Sequence, residues 1–295
     1  MPAKFAGQTY EVEQYQVDPE TGYIDYDGMR EKAESFGPDI IVSGYSAYPR
    51  EVEWERIQEA ADAVGAYHLA DIAHITGLVA AGVHESPVGV ADFVTGSTHK
   101  TIRAGRGGII MCDEEHADDV DSAVFPGAQG GPAMHNVAGK AVGFKEAMEP
   151  EFESYVQAVV QNAEVLGDRL DDHGFGLVSG GTDTHLVLVD LRESHPDVTG
   201  QMAEEALEEV GIVLNKNTVP GETRSPFVAS GIRIGTPALT TRGFDAGAIE
   251  EVADAIAAVV DGIDPDTADP DSAVQAEVSE TVRQLTEAYP LYQDG

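Results

Sequence analysis

The chain has one cysteine, one tryptophan and only 17 lysines and arginines among 295 residues. A lone Cys112 excludes an intramolecular disulfide and fits a reducing compartment. No apolar run approaches the length of a membrane span, and the amino terminus lacks a signal-peptide pattern. These absences lead us to expect a soluble, cytoplasmic protein. The shortage of basic residues is the extreme feature. Against 17 cations stand 53 aspartates and glutamates, a formal net charge of -36. The acids are scattered along helical patterns and not gathered in one tail, so the whole surface is expected to be negative. Such a field argues against nucleic acid and anionic membranes as partners. It repels itself at low salt, and concentrated salt screens that repulsion. A salt-rich cytoplasm, that of a halophile, is the expected setting. The melting temperature should therefore rise with salt, with structure lost in dilute buffer; a melting temperature independent of salt would refute this.

What remains is ordinary. Hydrophobic residues make up 42% and aromatics 7%, enough for a packed core and best suited to two domains. Short apolar runs at 39–43, 67–71, 91–95 and 107–112 predict strands, and 52–65 predicts a helix with Trp54, Ile57, Ala61 and Val64 on one face. Strands separated by helical segments imply a parallel or mixed sheet of the α/β class, whose ligands gather beyond the carboxyl ends of the strands. The pattern changes near Glu149-Pro150. A long amphipathic helix follows, with Phe152, Tyr155, Val159, Ala163, Leu166 and Leu170 at helical spacing. A strand at 186–190 and helices near 201–210, 246–260 and 272–288 complete the second part, with an Asp-rich linker at 261–271. We expect one domain over residues 1–150 and another over 151–295. The opening seven residues supply no first βα unit. A sheet built from 1–150 alone is therefore expected to be short of strands and to expose apolar surface at its edge.

Three elements carry chemistry. Ser97-Thr98-His99-Lys100-Thr101 follows a predicted strand in a chain with six lysines. A lysine at a strand's carboxyl end, followed by Gly105-Arg106-Gly107-Gly108, suits Schiff-base formation, because the deprotonated amine condenses with a carbonyl. A surface lysine is the bland alternative. Asp71 ends a strand 29 positions earlier, with His74 just beyond. A carboxylate there can pair with a protonated pyridine nitrogen, or merely cap the following helix. His74 alone could be a hydrogen-bonded core histidine. Arg233, between Gly231 and Gly235, suits bidentate capture of an α-carboxylate or a structural ion pair.

Taken with Tyr45-Ser46-Ala47-Tyr48, Asp71-Ile72-Ala73-His74-Ile75-Thr76-Gly77, Ser122-Ala123-Val124-Phe125-Pro126-Gly127-Ala128-Gln129-Gly130-Gly131-Pro132, Val178-Ser179-Gly180-Gly181-Thr182-Asp183, Asn215-Lys216-Asn217-Thr218-Val219-Pro220 and Ser230-Gly231-Ile232-Arg233-Ile234-Gly235-Thr236-Pro237, the chain resembles the serine hydroxymethyltransferases. The resemblance implies an aspartate-aminotransferase-like fold, fold type I of the pyridoxal-phosphate enzymes. It would comprise an incomplete large domain and a small C-terminal α+β domain. It implies pyridoxal 5'-phosphate as cofactor and no metal. The expected substrates are serine or glycine with tetrahydrofolate or another reduced pterin, and the expected assembly is a homodimer. By the resemblance Lys100 carries the cofactor, Asp71 meets its ring nitrogen, and His74, Ser46 and Ser97 line cofactor and substrate. His99 supports the lysine turn, Gly130 and Gly131 approach the phosphate bound in the neighbouring subunit, Arg233 holds the substrate carboxylate and Asn217 contacts the pterin.

Two departures stand out. The family's threonine run before His-Lys reads Thr95-Gly96-Ser97-Thr98 here, which keeps a hydroxyl at Ser97. The resemblance also begins well inside the family's pattern, so a phosphate cup, a ring-stacking histidine and an acid–base glutamate are expected to lie outside this chain. Two alternatives remain at this point: another fold-type-I enzyme such as a threonine aldolase, or a non-catalytic fragment that binds a partner.

Overall fold

Helix ends in this chain are set by local chemistry. Asp25 accepts a hydrogen bond from Gly28 N at 2.9 Å, and Gly37 closes the same helix with φ of 65°. That carboxylate satisfies one of the amides left free at a helix start, and glycine takes the left-handed conformation without strain. A computed structural model describes residues 5–291. Its first elements are α1 (Phe5–Thr9), α2 (Tyr26–Phe36), β1 (Ile40–Ser43), α3 (Trp54–Val64), β2 (Tyr67–Asp71), α4 (Thr76–Ala80), β3 (Phe93–Ser97) and β4 (Gly108–Cys112). The strands form one sheet in the order β1-β2-β3-β4. β1, β2 and β3 run parallel, and β4 returns antiparallel with Ser97 opposite Gly108. Parallel neighbours need crossovers, and α3 supplies the one between β1 and β2. This is the mixed, parallel-dominant sheet of the expected α/β class.

β3 begins two residues later than its apolar run predicts. Asp92 is withheld from the ladder because its carboxylate accepts from His68 N at 2.7 Å. One face of the sheet is covered: Ile41, Ala70 and Val94 pack with Met29 and Ala33 of α2 and Trp54, Ile57 and Ala61 of α3. The other face is not. Ile40, Val42 and Tyr67 are 49%, 56% and 47% exposed. Parallel strands are ordinarily buried on both faces, so the apolar exposure lies on a face of this sheet, whereas the expectation placed it at the edge.

Under the covered face lies His68, fully buried, with Nε2 2.7 Å from Ser43 Oγ and Nδ1 3.2 Å from Gln58 Oε1. Burial pushes its pKa down to about 4, against an opposing pull from Asp92. Between pH 6.5 and 4 the unfolded chain therefore binds the extra proton, and stability falls as pH drops through that window. The full loss from this one group is on the order of 3 kcal/mol. Chemical unfolding in concentrated salt should show this acid slope, and His68→Gln should flatten it; an unchanged slope in that variant would remove His68 from the account.

Beyond β4 come α5 (Glu114–Ser122), α6 (Met134–Glu146) and α7 (Pro150–Asp172). Proline opens α7, where its missing N–H costs nothing, and Phe152, Val156, Val159, Ala163, Leu166 and Leu170 form the buried stripe. Then follow β5 (Gly176–Leu177), β6 (Leu186–Asp190), α8 (Gly200–Glu209), β7 (Asn215–Asn217), β8 (Gly231–Gly235), α9 (Pro237–Arg242), α10 (Ala246–Asp261) and α11 (Ser272–Ala288). A second sheet, β5-β6-β8-β7, is antiparallel throughout. Leu186–Val189 of β6 are all buried, and Val187 and Val189 join Leu166, Leu170, Leu207, Ile249 and Ile256 in the largest core.

The two sheets meet along a polar seam. Arg50 donates to Asp183 Oδ1 at 2.7 Å, to Ser179 O at 2.7 Å and to Ser179 Oγ at 3.0 Å. Pro49 O accepts from Asp183 N and from Thr182 Oγ1. On the far side Arg103 lies 3.6 Å from the Tyr155 ring centre. These contacts join the loop after β1 to the segment before β6, and the turn after β3 to α7.

Candidate active site

The lysine turn is built by its threonines. Thr98 is buried, and its Oγ1 donates to Gly105 O at 2.5 Å; its main-chain N donates to Gly107 O. Thr101 is buried too. Its Oγ1 donates to His74 O at 3.0 Å and accepts from Gly77 N at 2.9 Å. One hydroxyl thus joins the turn carrying Lys100 to the turn carrying His74. Gly77 makes the approach possible: a Cβ there would lie 2.5 Å from Thr101 O. At the end of β2 a similar rule holds, because a Cβ on Gly44 would lie 1.9 Å from Asp71 O. Only glycine allows these loops to close to such distances.

Asp71 lies opposite Thr95 in the parallel ladder, and its Oδ1 accepts from Ala73 N at 3.0 Å. This bond fixes the carboxyl group at the carboxyl end of β2. Lys100 is near enough for the Asp71 charge to act on it. Its amine makes no hydrogen bond or ion pair among the described residues. Burial lowers its pKa, Asp71 opposes the shift, and Arg233 adds to it. A lysine so placed gives up its proton more readily than one in water. His74 is pushed down to about 4, first by burial and then by Lys100 and Arg233, so its ring is neutral at neutral pH.

Arg233 comes from the centre of β8. Its Nη1 donates to Ser46 O at 2.7 Å and its Nη2 to Asn215 Oδ1 at 2.7 Å. Burial lowers its pKa from the ordinary arginine value, yet the group stays charged. Of five guanidinium N–H groups, these bonds occupy two. The remainder can meet an anion.

The structure brings Asp71, His74, Lys100, Arg233 and the main chain of Ser46 into one place. Ser97 is half-buried at the last ladder position of β3. His99 is exposed, and the bonds that shape the turn come from Thr98 and Thr101. Asn217 ends β7 opposite Gly231, and its Nδ2 donates to Thr218 O at 2.7 Å. Gly130 and Gly131 are exposed, with open space where a Cβ would stand, and are not gathered with Lys100. Sequence reasoning missed Thr101, Asn215 and His185. His185 stands just beyond Thr182-Asp183, where a polar run enters the apolar β6. That placement was the signal available. No group of three or more His, Cys, Asp and Glu side chains among the described residues could hold a metal ion.

A pyridoxal-type cofactor suits this donor set. It needs an amine free of ion pairing, a carboxylate at the ring nitrogen and a cation for the substrate's acid group, and Lys100, Asp71 and Arg233 are of those types and near enough for Asp71 and Arg233 to act on the Lys100 charge. The family profile described as serine hydroxymethyltransferase matches residues 2–256. A serine hydroxymethyltransferase of Natronomonas pharaonis is 77% identical over 292 residues, covering 99% of this chain and 68% of that protein. Those of Haloarcula marismortui and Halobacterium salinarum are 74% and 73% identical, each over 99% of this chain and 69% of theirs. On a match of that extent and identity, carried through the Asp71, His74, Lys100 and Arg233 segments alike, the chain belongs to the serine hydroxymethyltransferase family.

Proposed function

We propose that this chain, with pyridoxal 5'-phosphate, interconverts serine plus tetrahydrofolate and glycine plus 5,10-methylenetetrahydrofolate. The observation that carries the reading is the Thr101 hydroxyl, which ties the Lys100 and His74 turns together opposite Asp71 and Arg233. When bound, the cofactor supplies an electron sink for negative charge developing at the amino acid's Cα. The protein's part is to hold and orient. Lys100 offers an amine whose proton is loosened by burial, and Asp71 offers a fixed carboxylate to the ring nitrogen. Arg233 meets the amino acid's carboxylate with the N–H groups not used on Ser46 and Asn215. His74, neutral at working pH, and Ser46 and Ser97 would face cofactor and substrate. His99 would support the lysine turn and Asn217 would contact the pterin, which could be another reduced pterin. Gly130 and Gly131, open to approach, would close on the phosphate of a neighbouring subunit in a homodimer. No helix among the described residues is long and apolar enough to cross a membrane, and the acidic surface suits a salt-rich cytoplasm.

The test is glycine formation from serine in concentrated salt with pyridoxal phosphate, with and without tetrahydrofolate. Pterin-dependent glycine release is the expected result. Cleavage of allo-threonine with no serine turnover would reassign the chain to threonine aldolase chemistry. No turnover from a folded chain that has taken up the cofactor would make it a binding fragment.

A further inference from the structure

A second histidine reaches this site from the other sheet. His185 immediately precedes β6, and its ring centre is 5.9 Å from that of His74, with the planes 32° apart. Among the described residues this is the one ring pair that joins a residue before 150 to one after it. His185 is only 6% exposed, and its Nδ1 is buried without a hydrogen-bond partner among those residues. A buried polar atom left unpaired is costly, so this ring is held there at an expense to stability.

The mount beneath His185 is rigid. Its carbonyl accepts from Thr236 N at 3.0 Å and from Thr236 Oγ1 at 3.3 Å, while Thr236 Oγ1 also donates to Val159 O at 2.7 Å. On the other flank Thr182 Oγ1 donates to Leu186 O at 2.6 Å and contacts Pro49 O across the seam. His74 is held differently. Thr101 fixes its main chain, but its ring makes no hydrogen bond among the described residues. His185 is the one aromatic ring paired with it among the described residues.

The charges around the pair agree. Lys100 and Arg233 face both rings and His84 faces His185, all disfavouring a further positive charge. Asp71 is directed to Lys100. Burial pushes His185 down to about 3 and His74 to about 4, so two neutral rings sit side by side, tilted, without repulsion.

We propose that His185 is the positioning residue of His74, its anchored ring fixing the plane in which His74 meets the amino-acid substrate. This rests on the reading of Lys100 and His74 as the working site. The first readout, however, needs no reaction. The ring signals of isotopically labelled histidine are followed by NMR through an acid titration of the cofactor-free chain in concentrated salt. His185→Ala admits water to His74 and should raise its midpoint by about one unit or more. His185→Phe keeps a ring beside His74 and should leave the midpoint in place. In the cofactor-loaded chain, His185→Ala should lower kcat for serine cleavage with KM little changed, and His185→Phe should restore most of it. A lower melting temperature with the His74 midpoint unmoved would overturn the proposal, as would failure of phenylalanine to restore it. Should His185→Ala not fold, His185→Gln keeps volume without a ring. A raised midpoint there supports the proposal, and a wild-type midpoint overturns it. Absence of serine turnover, with the expected NMR behaviour, would count against the proposed reaction and not against the pairing of the rings.

Discussion

Replacing Lys100 by alanine will abolish the borohydride-stable pyridoxal phosphate adduct and reduce serine turnover to background. The argument begins with competition among lysines. Lys32 is engaged with Glu13 and with Gln14 O, Lys216 is paired with Glu204, and Lys140 donates to Gly108 O. Each of those ammonium groups already donates to a partner that a carbonyl would have to displace. Lys100 and Lys145 have no such partner among the described residues, but Lys145 is exposed in the last turn of α6, whereas Lys100 is partly buried and that burial lowers its pKa. The neutral amine that attacks a carbonyl is thus most accessible there. The same absence of bonds makes the variant a clean one. The turn is held by Thr98 and Thr101, so Lys100→Ala should leave the melting temperature close to that of the parent, as surface-like changes within about 0.5 kcal/mol do. Peptide mass mapping after reduction is the measurement. An adduct that persists in the variant would move the cofactor to another lysine and undo the site assignment.

Much of this arrangement was legible in the sequence because its physics is local. The runs at Ile40–Ser43, Tyr67–Asp71 and Leu186–Asp190 are apolar and short, and Gly65 closes α3 where the periodicity ends. Asp71 and Lys100 could be singled out because α/β sheets gather ligands beyond strand ends. Arg233 was picked for its chemistry, but its setting was not read. The glycines beside it suggest a loop, whereas Gly231–Gly235 is a central strand. A Cβ on Gly231 would lie 2.4 Å from Val189 O, so the glycine serves close strand packing. The return direction of β4 and the helices α2, α5 and α6 also escaped notice. α5 buries no residue and α6 only Gly143, so neither writes an apolar stripe that periodicity could detect. His185 was invisible for a different reason. Its partner is 111 positions away, and the contact exists only once Arg50, Asp183 and Thr182 have docked the two sheets.

Arg233→Lys should raise the KM for serine by roughly 100-fold or more while leaving cofactor attachment at Lys100 intact. The guanidinium is anchored at two points, Ser46 O and Asn215 Oδ1, both at 2.7 Å. Those bonds orient the fork before any ligand arrives, so little ordering remains to be done on binding. A carboxylate then receives two parallel charge-assisted bonds, each contributing about 1.5–3 kcal/mol. Lysine retains the charge but concentrates it in one ammonium, which cannot hold both anchors and a bidentate carboxylate at once. Losing one such bond and the orientation together amounts to about 3 kcal/mol, which is the factor of roughly 100. Because Asp71 and the Lys100 turn draw none of their bonds from Arg233, the borohydride adduct should form as in the parent. Steady-state kinetics on serine and adduct mapping on the same preparation separate the two roles. An unchanged KM would assign Arg233 to the seam with Ser46 alone, and loss of the adduct would mean that the lysine pocket depends on the same anchor.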